Sequence, residues 1–140
     1  MMKLSAAAAA SLILGCALVG STPAIATHAG GHVSCPALNH LDPDADGSFS
    51  IFEAKRRART VFDALNTDGD QTLEADETHG RVSAAAIKAA DPDNDGSLDR
   101  HEWRRLLRAR FRAANTDGDL SIECDELATY QGHILYLMLK

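Results

Sequence analysis

Apolar residues recur along this chain in two rhythms. Ala58, Val61, Phe62 and Leu65 follow the i, i+3, i+4, i+7 spacing of a helix with one buried face, and Trp103, Leu107, Phe111 and Ala114, with Arg110 among them, nearly repeat it. After an interruption at Gly80, Ser83 is placed to cap a further helical stretch from Ala84 to Ala90. Ile134 to Leu139 is apolar almost without a break and is expected to fold back onto the bundle those helices make. The second rhythm is slower: Phe49, Leu73, Leu98 and Ile122 each stand alone inside a polar, acidic segment.

Those segments are an internal repeat. DPDADGSFSIFE (Asp42 to Glu53), NTDGDQTLEADE (Asn66 to Glu77), DPDNDGSLDRHE (Asp91 to Glu102) and NTDGDLSIECDE (Asn115 to Glu126) align without gaps, their starts 24, 25 and 24 residues apart. Each fits the twelve-residue EF-hand loop, in which oxygens from positions 1, 3, 5, 7, 9 and 12 surround a hard cation and position 7 contributes its carbonyl. The candidate ligands are Asp42, Asp44, Asp46, Ser48, Ser50 and Glu53 in the first loop, and Asn66, Asp68, Asp70, Thr72, Glu74 and Glu77 in the second. The third offers Asp91, Asp93, Asp95, Ser97, Asp99 and Glu102, and the fourth Asn115, Asp117, Asp119, Ser121, Glu123 and Glu126. Of the 20 acidic residues, 17 occupy positions 1, 3, 5, 9 or 12, leaving only Asp63, Asp76 and Asp125 elsewhere. A merely solvated acidic surface would keep no such register. The expected fold is all-α: a compact small helical bundle carrying four closely spaced EF-hand loops, with short β strands through the lone apolar position 8 pairing the loops. Only 12 or 13 residues separate successive loops, so a single helix must serve two of them.

The loops differ. The third carries five carboxylates and has Gly96 at position 6, where a positive φ is wanted, so it is expected to bind most tightly. The first has Gly47 there, but Ser50 at position 9 brings a hydroxyl rather than a charge. The second and fourth open with Asn and place Gln71 and Leu120 at position 6, a strain of about 1 kcal/mol that predicts weaker sites.

Net charge is -6, which disfavours nucleic acid as a partner and favours cations. Residues 1–26 read as a cleavable signal peptide: Lys3, an apolar stretch from Leu4 to Gly20, and a small-x-small site at Ala24 to Ala26. Ile13 to Gly15 before Cys16 loosely resembles a lipobox, but apolar residues continue to Val19. The expected domains are therefore residues 1–26 as signal, 27–40 as an N-terminal segment and 41–140 as the metal-binding domain, exported to the periplasm with no stable membrane insertion after cleavage. Cys35 and Cys124 would then sit in an oxidising compartment, either as a disulfide or as two separate thiols. His28 and His32 beside Cys35 could capture a soft metal, but a flexible tail is the plainer reading. The arginines of the two long helices balance the acidic loops. No nucleophile, acid and base are arranged for catalysis, so an enzyme is not expected.

Several of these features together resemble the lanmodulin family of periplasmic lanthanide-binding EF-hand proteins. They are the close spacing of the loops, Pro43 and Pro92 at position 2, the GRVS run from Gly80 to Ser83, DPDNDG at Asp91 to Gly96, and RFRAAN before the fourth loop. The likeness covers roughly Leu41 to Lys140. It implies binding of lanthanide(III) ions in preference to Ca2+, with the chain compacting on binding. Only two loops keep the proline and only the third keeps Asp at position 9. The alternative is a periplasmic calcium sensor or buffer acting through a protein partner; a metal-dependent dimer fits either reading.

Overall fold

The computed structural model describes residues 35–140, so the signal-peptide expectation, Cys16, His28 and His32 lie outside the described residues. Six helices follow one another: α1 (Pro36–Asn39), α2 (Ile51–Leu65), α3 (Ala84–Ala90), α4 (Arg100–Ala114), α5 (Cys124–Leu127) and α6 (Tyr130–Leu139). None of them is long and apolar enough to cross a membrane. The two long helices bury the faces their periodicity marked, Ala54, Ala58, Val61, Phe62 and Leu65 on α2 and Trp103, Leu107, Phe111 and Ala114 on α4. They pack on one another, and where they meet the Trp103 indole N–H donates to the Ala58 carbonyl at 2.9 Å. Trp103 also stands edge-on to Phe62, ring centres 6.2 Å apart, a favoured aromatic geometry.

Helix starts are set by side chains. Ser50 and Asp99 each accept from the backbone three residues on, and Glu53 and Glu102 reach back to the capping residue's own N–H, a reciprocal capping box at the start of both long helices. Ser83 caps α3 by accepting from the Ala86 N–H. The interruption expected at Gly80 is broader than one residue. Residues 75–80 form turns, and His79 and Gly80 have φ of 49° and 75°, a pair of left-handed residues that no helix tolerates.

The four acidic segments join in pairs. Phe49 and Ile122 exchange both backbone hydrogen bonds, at 2.9 and 3.0 Å, and Leu73 and Leu98 do the same at 3.0 and 2.9 Å. The first segment is thus joined to the fourth and the second to the third, one pair nested inside the other. All four residues are fully buried, which explains their isolation in sequence: each is a core anchor reached from a polar loop. The expected short strands do not form among the described residues. Position 7 is already tied to the position 5 carboxylate and position 9 already caps a helix in three segments, so the extended stretch on each side is too short to extend a ladder.

The closing segment does fold back. Leu135, Met138 and Leu139 of α6 are fully buried against α4 and α2. The carboxyl end of α6 meets two arginines, Arg57 Nε donating to the Leu139 carbonyl at 2.8 Å and Arg81 to that of Lys140, while Arg110 donates to the mid-helix Ile134 carbonyl at 3.2 Å. Cations there satisfy carbonyls that a helix end leaves unpaired and complement its dipole. Burial pushes the Arg110 guanidinium down from its ordinary value.

Candidate metal centres

Each acidic segment turns through two left-handed residues, at positions 4 and 6. In the first and third, position 6 is Gly47 (φ 92°) or Gly96 (φ 89°), and position 4 is Ala45 or Asn94, both at φ 59°. In the second and fourth the glycine has moved to position 4, Gly69 (φ 80°) and Gly118 (φ 81°), and position 6 is Gln71 (φ 78°) or Leu120 (φ 81°). The left-handed backbone expected at Gln71 and Leu120 is present, and Ala45 and Asn94 share it without a glycine of their own to mark it in the sequence. Gly69 and Gly118 were its visible sign, because each loop places its single glycine at one of the two left-handed positions.

This curl gathers carboxylates. Oxygens of Asp42, Asp44 and Glu53 lie within 4.8 Å of one another, as do those of Asp91, Asp93 and Glu102, drawn from positions 1, 3 and 12. In the Asn-led loops the groups are Asp68, Glu74 and Glu77, and Asp117, Glu123 and Glu126, from positions 3, 9 and 12. The asparagines at position 1 hold the turn instead: Asn66 Oδ1 accepts from the Gly69 N–H and Asn115 Oδ1 from that of Gly118. Glutamate at position 9 replaces in charge what Asn at position 1 lacks. Each of the four groups can hold a metal ion.

The remaining predicted ligands have other partners. Asp46, Asp70, Asp95 and Asp119, all at position 5, accept from the backbone of Ser48, Thr72, Ser97 and Ser121 at 2.8–2.9 Å and from the same residues' hydroxyls. The Ser121 carbonyl accepts from the Asn115 amide at 3.1 Å. Asp99 accepts from the His101 and Glu102 N–H groups, and the Ser50 hydroxyl donates to Glu53 at 2.8 Å.

The closing glutamates are held in two ways. Where position 2 is proline and has no N–H, one oxygen of Glu53 or Glu102 accepts from the backbone of position 9 at 2.9 Å. Where position 2 is threonine, its N–H and hydroxyl both donate to the glutamate: Thr67 to Glu77 at 2.9 and 3.1 Å, Thr116 to Glu126 at 2.6 and 3.0 Å. Glu53 Oε1 and Glu77 Oε2 are buried with no hydrogen-bond partner. A buried carboxylate oxygen without a donor is costly, and a cation in the loop would satisfy it.

No protein cation does so. Among the described residues the one ion pair is Arg100 with Asp63 at 2.6 Å, and Asp63 lies outside the loops. The pKa pattern follows. The carboxyl of Asp93 is raised, first by the Asp91 carboxylate hydrogen-bonded to it, and Asp44 is raised by Asp42 in the same way. Burial raises Glu102, helped by the charges of Asp99, Asp93 and Asp91. Burial likewise raises Glu74 and Glu123. Asp91 moves the opposite way, lowered first by the Gly96 N–H. In the third loop Asp91 is thus anchored by backbone donors while Asp93 and Glu102 hold their protons more tightly.

Compared with known proteins, the chain matches no protein-family model and no curated protein.

Proposed function

We propose that this protein is an exported, lanmodulin-like EF-hand protein that binds lanthanide(III) ions, Ca2+ or both through its four loops and tightens its fold on binding. The observation that carries this reading is the bare oxygen on each of Glu53 and Glu77, held at position 12 of loops whose acidic groups have no cationic side chain within reach. A closing glutamate, delivered by the first turn of α2 for Glu53 and by the 75–80 turn for Glu77, with one oxygen fixed by a backbone N–H and the other left bare in a residue grouped with other carboxylates, is the arrangement a seven- or eight-oxygen cation requires. Bringing such an ion in removes the mutual repulsion of the loop acids, so binding and folding reinforce one another. Higher ion charge gains more from each carboxylate, which supports trivalent ions.

Trp103 directly follows Glu102 and provides the test. Titrating terbium(III) while exciting the indole is expected to give sensitised emission, and Asp91→Ala is expected to remove most of it. Circular dichroism across parallel terbium and calcium titrations reads selectivity: calcium acting at the same free concentration as terbium would defeat the lanthanide preference, and neither ion binding would defeat the reading altogether.

A further inference from the structure

Two thiols from distant parts of the sequence meet beside the fourth loop. Cys35 stands at the N-cap position of α1, Cys124 is the first residue of α5, and these two short helices pack on each other. Cys35, Pro36 and Ala37 form one wall of a surface cavity of about 450 Å³ whose other wall is Leu127 to Tyr130 with His133. The Cys124 thiol has that of Cys35 as its hydrogen-bonding neighbour. Both residues are half-buried, and Cys35 packs against the core. Between them run 88 residues of sequence, including three whole acidic loops.

We infer that Cys35 and Cys124 form an intramolecular disulfide that staples α1 to α5 and fixes the fourth loop in its metal-receiving shape. The oxidant is an external disulfide, from an oxidised dithiol protein or oxidised glutathione. One thiolate of the pair attacks it, expelling one thiol and leaving a mixed disulfide; the second thiolate displaces the other half. One S–S bond forms in the protein and one breaks in the oxidant, whose two sulfurs leave as thiols carrying the two protons.

The position of Cys124 gives the bridge its consequence, which rests on the metal-binding reading above. It lies between Glu123 and Glu126, two of the three acids gathered in the fourth loop. Fixing it to α1 also ties the first described residue to the fourth loop before any ion arrives, which removes freedom from the open chain rather than from the folded one. The oxidised protein therefore folds at a lower metal concentration than the reduced one.

The test uses the full chain, which has three cysteines. After equilibration in glutathione buffer, free thiols are trapped by alkylation and peptides mapped by mass. The expected result is a Cys35–Cys124 linked peptide with Cys16 alkylated; three alkylated cysteines, or Cys16 joined to either partner, would overturn the bridge. Terbium titrations of oxidised and reduced protein, followed by circular dichroism, are expected to differ in midpoint by at least about ten-fold. Coincident midpoints in a chain that carries the bridge would overturn its coupling to the metal. Because the peptide map needs no metal, the bridge stands or falls separately from the metal-binding reading. A Cys35→Ser, Cys124→Ser double variant should fold with terbium and show no redox response; a response persisting there would also overturn the proposal.

Discussion

Leu120 offers a clean measure of what the left-handed turn costs. It has φ of 81° and is 64% exposed, so its side chain contributes little packing while its Cβ crowds the backbone. A residue with a Cβ loses about 1–2 kcal/mol in this region, and glycine loses none of that but gives up roughly 0.5–1 kcal/mol more chain entropy on folding. Leu120→Gly should therefore stabilise the protein by about 0.5–1 kcal/mol. The right reference is Leu120→Ala, which removes the exposed side chain but keeps the Cβ and hence the strain. The backbone carbonyl that accepts from the Ile51 N–H at 3.1 Å is present in both variants. Thermal unfolding followed by circular dichroism should place the glycine variant above the alanine variant by roughly 3–6 °C. If the metal-loaded loop keeps the same turn, the fourth site should also tighten by about two- to five-fold. A glycine variant no more stable than the alanine one would refute the assignment of strain to this position.

Gly132→Ala should act in the opposite sense. A Cβ there would overlap the Glu126 carbonyl and the Leu127 backbone, so α6 could dock only by displacing α5, and a loss of about 3 kcal/mol or more in urea unfolding is expected. Asp63→Asn removes the exposed pair with Arg100 and should change stability by no more than about 0.5 kcal/mol in the same assay. In chelator-treated protein, Glu102, Glu74 and Glu123 hold their protons to higher pH when folded than when unfolded. They therefore oppose folding at neutral pH and relent as pH falls through the window just above the ordinary glutamate value of 4.5. Asp91 is depressed, so its contribution is present above the ordinary 3.8 and is lost as pH falls through its lower folded value. The melting temperature of the metal-free protein should thus rise from neutral towards weakly acidic pH and then drop; a steady fall with acidification would contradict this.

Much of this could be read from the sequence because the repeat constrains itself. Position 8 was apolar four times over, and Phe49, Leu73, Leu98 and Ile122 are all core. Position 12 was glutamate four times, and all four side chains join acidic groups. Ser83 stood where a cap belongs, and it caps α3. What escaped were matters of distance in sequence and of backbone torsion. Nothing in the repeat says which loop joins which, because all four present equivalent apolar residues; the choice belongs to the packing of α2, α4 and α6. The left-handed Ala45 and Asn94 were hidden because neither residue type signals positive φ as strongly as glycine does. The hydroxyls of Ser48, Thr72, Ser97 and Ser121 that engage the position 5 aspartates have no mark in the loop pattern, which assigns position 7 only a carbonyl role. The contact of α1 with α5 follows from tertiary packing alone.

The nesting of one loop pair within the other has a consequence for how the chain comes into being. Leu73 meets Leu98 across 25 residues, whereas Phe49 must wait for Ile122, 73 residues later. Closing the longer loop costs about 1 kcal/mol more entropy, and during synthesis it also has to wait for its partner to emerge from the ribosome. The inner pair can thus assemble early as a local nucleus, while the loop made first is the last to find its mate.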